Sequence, residues 1–178
     1  SLNLKWDLTP QTSLNATVLP DFAQIEADPY SFNLSRYPTY FSERRPFFVE
    51  GSEFFRMAGS GNGYGSLNTF YSRRIGKAVG REPVPILGGL KLTSRQGFTN
   101  FGAIGAYTDA LKDTGGNVIE PRRAFGVLSG RTRIAEQTTG GLIFSGTMAD
   151  ADDYNFALGG DWNFSTGPVS YTHLRAHE

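Results

Sequence analysis

The chain has 178 residues with 17 basic and 17 acidic side chains, enough for one domain with a core and too evenly charged for a polyanion-binding surface or a nucleic-acid partner. It has no cysteine, which excludes disulfides and thiolate metal sites. The 22 glycines beside 14 Phe and 8 Tyr suit short strands with one apolar and one polar face, and no run of 18 apolar residues offers a transmembrane helix.

Residues 2–9, LNLKWDLT, set Leu2, Leu4, Trp6 and Leu8 against Asn3, Lys5, Asp7 and Thr9, the period-two signature of a strand. The chain thus opens on strand rather than on a signal peptide, and it is expected to begin inside a domain. Pro10-Gln11 reads as a tight turn, and residues 12–19 alternate again through Leu14, Ala16 and Val18, completing a hairpin.

Residues 20–50, PDFAQIEADPYSFNLSRYPTYFSERRPFFVE, break the rhythm. Acids, arginines and aromatics crowd together with neither helical nor strand period, and the glycine-rich residues 57–69 then read as loop. An irregular but highly specified insertion is therefore expected over residues 20–85.

Hairpins resume from Pro85. Residues 86–95 set Ile86, Leu90 and Leu92 against Lys91, Thr93 and Arg95; residues 96–100 turn, and residues 101–111 return in a glycine- and alanine-rich strand. After a polar loop over residues 112–121, residues 122–134 place Ala124, Leu128 and Ile134 opposite Arg123, Ser129, Arg131 and Arg133, although Phe125 and Val127 spoil the polar side. Residues 139–149 carry Leu142, Phe144 and Met148 on one face, with Ile143 a defect on the other. The clearest alternation is over residues 154–164, where Tyr154, Phe156, Leu158, Trp162 and Phe164 oppose Asn155, Ala157, Asp161 and Asn163.

Seven strands of this length suit a tilted crossing of a hydrocarbon layer, which needs about nine to eleven residues. A soluble β-sandwich predicts similar alternation. Two features favour the barrel. Tyr, Trp and Phe gather at strand ends, and connections after the first, third and fifth strands are short while those after the second and fourth are long, as in outer-membrane barrels. By that parity the insertion leaves from the extracellular end and folds back as a lumen plug or cap. The fold class is all-β: an antiparallel meander, an incomplete transmembrane β-barrel with an irregular folded-in insertion, over residues 1–167. Residues 168–178, PVSYTHLRAHE, resemble translated sequencing-adaptor read-through and are expected to be a non-native tail. They hold both histidines, His173 and His177, so the remainder has no histidine for a catalytic triad or a zinc site.

LPDFAQIEADPYSFNLSRYPTYFSERRPFFVEG, then FYSRRIG and ILGGLKLTSRQG, resemble the DUF5916 family of bacterial proteins. In that family an amino-terminal family-9 carbohydrate-binding-like domain precedes a carboxy-terminal outer-membrane β-barrel region. The segments follow the family core NPDFxQVEADP, NLTRFE, FPEKRPFFLEG and SRRIG, with departures at Leu19, Ile25, Ser42 and Arg44. The resemblance implies a bacterial outer-membrane location, outer-membrane lipid as partner, and a link to polysaccharide binding or uptake through a domain outside this sequence.

Glu26, Asp28, Glu43 and Glu50 could supply the acid and base of a membrane-associated, glycoside hydrolase-like enzyme, which needs two carboxyls about 5–9.5 Å apart. The favoured reading is structural: Asp21, Glu26, Asp28, Glu43 and Glu50 form a charge network with Arg36, Arg44, Arg45, Arg73 and Arg74 in a partly enclosed region, where unpaired charge is costly. Arg44-Arg45-Pro46-Phe47-Phe48 could be a stacking platform for a ligand, yet docking on a barrel wall asks for the same residues. No cofactor and no metal are expected. Gly59, Gly61, Gly63 and Gly65 lack the dinucleotide fingerprint, Gly76-Lys77-Ala78 lacks the P-loop hydroxyl, and no EF-hand spacing occurs.

Overall fold

The computed structural model describes residues 2–20, 42–57, 70–79 and 82–164. Its strands are β1 (Leu2–Thr9), β2 (Thr12–Val18), β3 (Ile86–Gln96), β4 (Thr99–Thr108), β5 (Leu111–Lys112), β6 (Val118–Glu120), β7 (Arg123–Ala135), β8 (Thr138–Met148) and β9 (Tyr154–Phe164). Seven of them make one sheet in the order β1-β2-β3-β4-β7-β8-β9, and β5 pairs with β6 apart from it. Every pairing is antiparallel between successive neighbours. The fold is all-β, an antiparallel meander, and it does not close: among the described residues β1 bonds only to β2 and β9 only to β8.

The alternation read from sequence becomes two faces of this sheet. Following the register across the strands, one face carries Leu4, Ala16, Leu90, Gly105, Gly126, Gly146 and Phe156, and two residues further along Trp6, Leu14, Leu92, Ala103, Leu128, Phe144 and Leu158. The other face carries Lys5, Asn15, Lys91, Ile104, Val127, Ser145 and Ala157 in one such row. Two-residue turns, Pro10-Gln11, Gly97-Phe98 and Glu136-Gln137, join strands at one end of the sheet, while residues 19–85, 109–122 and 149–153 connect them at the other. At the second turn Gly97 has φ 57°, a left-handed conformation that glycine adopts without steric cost.

The insertion supplies what covers the second face. Its described parts hold a single helical turn, α1 (Pro46–Val49), and two 3-10 turns, Ser52–Phe55 and Ser72–Arg74. Proline at the first helical position suits α1, because its missing N–H would be unbonded there anyway. Phe48, Phe55 and Ile75 from the insertion and Ile86, Ile104, Ala106, Val127 and Ile143 from the sheet form one buried apolar cluster. Each buried Phe, Ile or Val among them contributes roughly 1.5–3 kcal/mol. Close approach is built into the wall: a Cβ on Gly102 would lie 2.8 Å from the Phe55 ring, so a side chain there would push the insertion off. A sandwich would cover this face with a second sheet; here the cover is the insertion.

Four local expectations are corrected. Ile86 does not share the face of Leu90 and Leu92, because a register shift between Ile86 and Gly88 turns it onto the covered side. The return strand β4 spans Thr99–Thr108 rather than residues 101–111, since the turn needs only two residues. The polar loop over residues 112–121 contains β6 and part of the small hairpin. Phe125, Val127 and Ile143 are not defects: they are the patch of the covered face that meets the insertion.

Candidate functional site

The two faces of the sheet differ in chemistry. On the open face none of the strand residues is Asp, Glu, Lys or Arg, as the register and the sequence together establish. Large apolar side chains stand exposed along its whole width, among them Leu4, Trp6, Leu90, Leu128, Leu142, Leu158 and Trp162. Leu158, in the middle of β9, is 74% exposed. Aromatics sit near both ends of β4 (Phe101, Tyr107) and of β9 (Tyr154 and Phe156, Trp162 and Phe164). Phe156 stacks on Phe144 with ring centroids 5.7 Å apart, crossing the backbone of Gly146.

The covered face carries the charged groups of the sheet's strands. Lys91, 1% exposed, donates from Nζ to the carbonyls of Phe47 and Glu50, each at 2.5 Å. These carbonyls lie in and just after α1, so a cation of the wall meets the negative end of the helical turn. Ser129 Oγ donates to the Phe54 carbonyl, and Arg131 donates to the Arg56 carbonyl at 3.2 Å while pairing with Asp161. Arg95 lies 5.5 Å from the centre of the Phe54 ring. The insertion is thus held by hydrogen bonds to its backbone as well as by apolar contact.

Within the insertion, Arg45 is the central side chain. It is 2% exposed, stacks 4.3 Å from the Phe48 ring centre, and bonds Glu43 through Nε and Nη2 at 2.9 and 2.8 Å. Its remaining donors reach the carbonyls of Ile75 and Ser72 at 2.7 and 2.8 Å, which ties residues 43–48 to residues 72–75. Glu43 Oε1 also accepts from the backbone N–H groups of Arg44 and Arg45, both at 3.0 Å, and Oε2 accepts from Ser72 Oγ at 2.5 Å. Burial pushes the Glu43 carboxyl up, but the Arg45 guanidinium and the other donors outweigh it and hold it at about 2. A carboxylate in that state is ionised at neutral pH and has spent its acceptor sites, so it cannot serve as a general acid.

The structure brings together Glu43, Arg45 and Arg73, the last donating to the Ser42 carbonyl at 2.9 Å. Arg44 and Arg74 are exposed, and among the described residues Arg44 joins through its backbone alone. Glu50 is engaged not by an arginine but by Lys5 of β1. The hydrogen bond from Lys5, opposed by slight burial, lowers its carboxyl below the usual range. Asp21, Glu26, Asp28 and Arg36 lie outside the described residues, and so do Gly59, Gly61, Gly63 and Gly65. Phe47 and Phe48 pack on each other edge to face at 4.9 Å. Phe48 is buried in the core and Phe47 lies against Gly89 of the wall, so this pair docks the insertion rather than standing free as a platform.

Sequence reading missed the partners on the wall. Lys91, Ser129, Arg131 and Asp161 were legible as polar-face residues, but the chain separations of their bonds, 44 residues for Lys91 to Phe47 and 75 for Ser129 to Phe54, leave no local signal. The interruptions at Phe125, Val127 and Ile143 did carry one, since apolar residues on a polar face mark where something dry must land.

No curated protein and no solved structure matches the chain. Residues 1–95 match the family described as a domain of unknown function, DUF5916, and the chain belongs to that family.

Proposed function

We propose that this chain is a section of the wall of a bacterial outer-membrane β-barrel, with its charge-free face against lipid and its insertion acting as a plug or cap on the wet side. The observation that carries the reading is a face of seven strands that has not one charged residue and bears exposed large apolar side chains on each strand. A water-soluble surface of that extent is a liability for aggregation, whereas hydrocarbon is the solvent it suits. Strand length agrees. Strands β3, β8 and β9 have 11 residues each, and at about 3.3 Å per residue with a tilt near 45° they cover roughly the 25 Å apolar band of such barrels. The parity of connections supports the same orientation, with short turns on the periplasmic side and the insertion entering from outside.

Polysaccharide binding or uptake is the role that the family resemblance adds to this wall. The alternative, a membrane-associated hydrolase, draws no support from Glu43, which is locked by Arg45, or from Glu50, which is paired with Lys5.

Refolding the chain in the presence of phospholipid vesicles, followed by flotation and an alkaline carbonate wash, tests the reading. The protein should float with the lipid and resist the wash. A stable, monodisperse monomer in detergent-free buffer would overturn it.

A further inference from the structure

We propose that the cleft between residues 70–75 of the insertion and strands β7–β9 binds a small organic carboxylate with an apolar body. The cleft has a volume of about 110 Å³. Phe70 and Phe125 line it as apolar surface, with Arg74, Thr147 and Asn155 contributing polar groups. Such a mixture of apolar surface and placed polar groups is what small-molecule sites present.

Two observations point to the ligand's chemistry. Arg74 is exposed and its guanidinium makes no ion pair or hydrogen bond among the described residues, whereas Arg45, Arg73 and Arg131 are committed to carbonyls and carboxylates. A free guanidinium beside an apolar slot selects a planar anion that it can bond through two parallel N–H groups. Second, the hydroxyl oxygen of Thr147 is buried without a hydrogen-bond partner. An unsatisfied buried polar atom calls for water or a ligand group. A carboxylate on Arg74, its second oxygen or a neighbouring hydroxyl towards Thr147 and Asn155, and a ring against Phe70 and Phe125 would use both the polar and the apolar lining of the cleft. Inorganic phosphate would leave the aromatic surface idle. The site is made by the insertion and the polar face of the sheet, so it stands whether or not the opposite face meets lipid.

Isothermal titration of the full chain in detergent micelles with benzoate, benzyl alcohol and inorganic phosphate tests this, with Arg74→Gln, Thr147→Val and the exposed control Arg44→Gln. Circular dichroism checks that each variant keeps its strand signal. Benzoate should bind saturably, benzyl alcohol and phosphate at least about tenfold more weakly, and Arg74→Gln should cost about tenfold or more in benzoate affinity while Arg44→Gln costs nothing. Thr147→Val should weaken benzoate by a smaller factor. Equal binding of benzoate and benzyl alcohol, an Arg74→Gln protein that binds like Arg44→Gln, or no saturable binding would each overturn the assignment.

Discussion

Leu128 and Val127 are neighbours in β7, similar in chemistry and opposite in fate: Leu128 is 51% exposed and Val127 2%. The same holds for Leu142 and Ile143 in β8, at 66% and 2%. One face of the sheet carries no charge and bares most of its large apolar side chains; the other holds every charged residue of the sheet's strands, with an apolar patch where the insertion lands. A core built by burying apolar residues would have turned the first face inward. That it did not teaches that the two faces are built for different surroundings, the covered one for the insertion and, on the reading proposed above, the open one for something as apolar as itself.

The largest effect on the covered side should come from Arg45→Met. It leaves Glu43 half-buried without its cation and frees the carbonyls of Ser72 and Ile75, which should cost about 3–5 kcal/mol as a lowered urea midpoint. Ile143→Ala opens a cavity beneath the insertion and should cost roughly 2–5 kcal/mol. If its neighbour Leu142→Ala costs as much in the same detergent micelles, the faces are not distinct. On the open side Leu128→Lys sharpens the contrast. In a bilayer it should cost about 2–4 kcal/mol, whereas a water-exposed position would tolerate lysine within about 0.5 kcal/mol.

Acid separates the faces more gently. Because Glu43 is held at about 2 when folded against 4.5 when free, its contribution is present above about pH 4.5 and fades as pH falls towards 2. The insertion should therefore loosen over that window, read as faster proteolysis at residues 42–57 by an acid-active protease, while Glu43→Gln should flatten the dependence. Lys5→Gln should do least, leaving the urea midpoint nearly unchanged, since the Lys5–Glu50 pair is exposed on both sides and screened by water.

The strands were legible in the sequence because a half-buried strand writes its two surroundings in alternate letters. Residues 154–164 were read to the residue as β9. The glycine- and alanine-rich β4 was less clear, since its covered face needs Gly102 for the Phe55 ring and offers Ile104 and Ala106 to the insertion, which blurs the alternation. Ile86 was assigned to the wrong face because a bulge shifts parity without any mark in the letters. The candidate site was half legible. Glu43 and Arg45 stand two residues apart and advertise their pair, but Glu50 finds Lys5 across 45 residues, and only the sheet register brings Lys91 beneath α1.

The most direct test of the lipid-facing claim exploits the absence of cysteine. Single cysteines placed in turn from Tyr154 to Phe164 would carry a polarity-sensitive fluorophore in protein reconstituted into vesicles. The account predicts a period-two pattern: positions 154, 156, 158, 160, 162 and 164 blue-shifted and quenched by lipid-borne nitroxide, and the positions between them quenched instead by a water-soluble agent. Water-like emission at all eleven positions, with no response to the lipid-borne quencher, would contradict it.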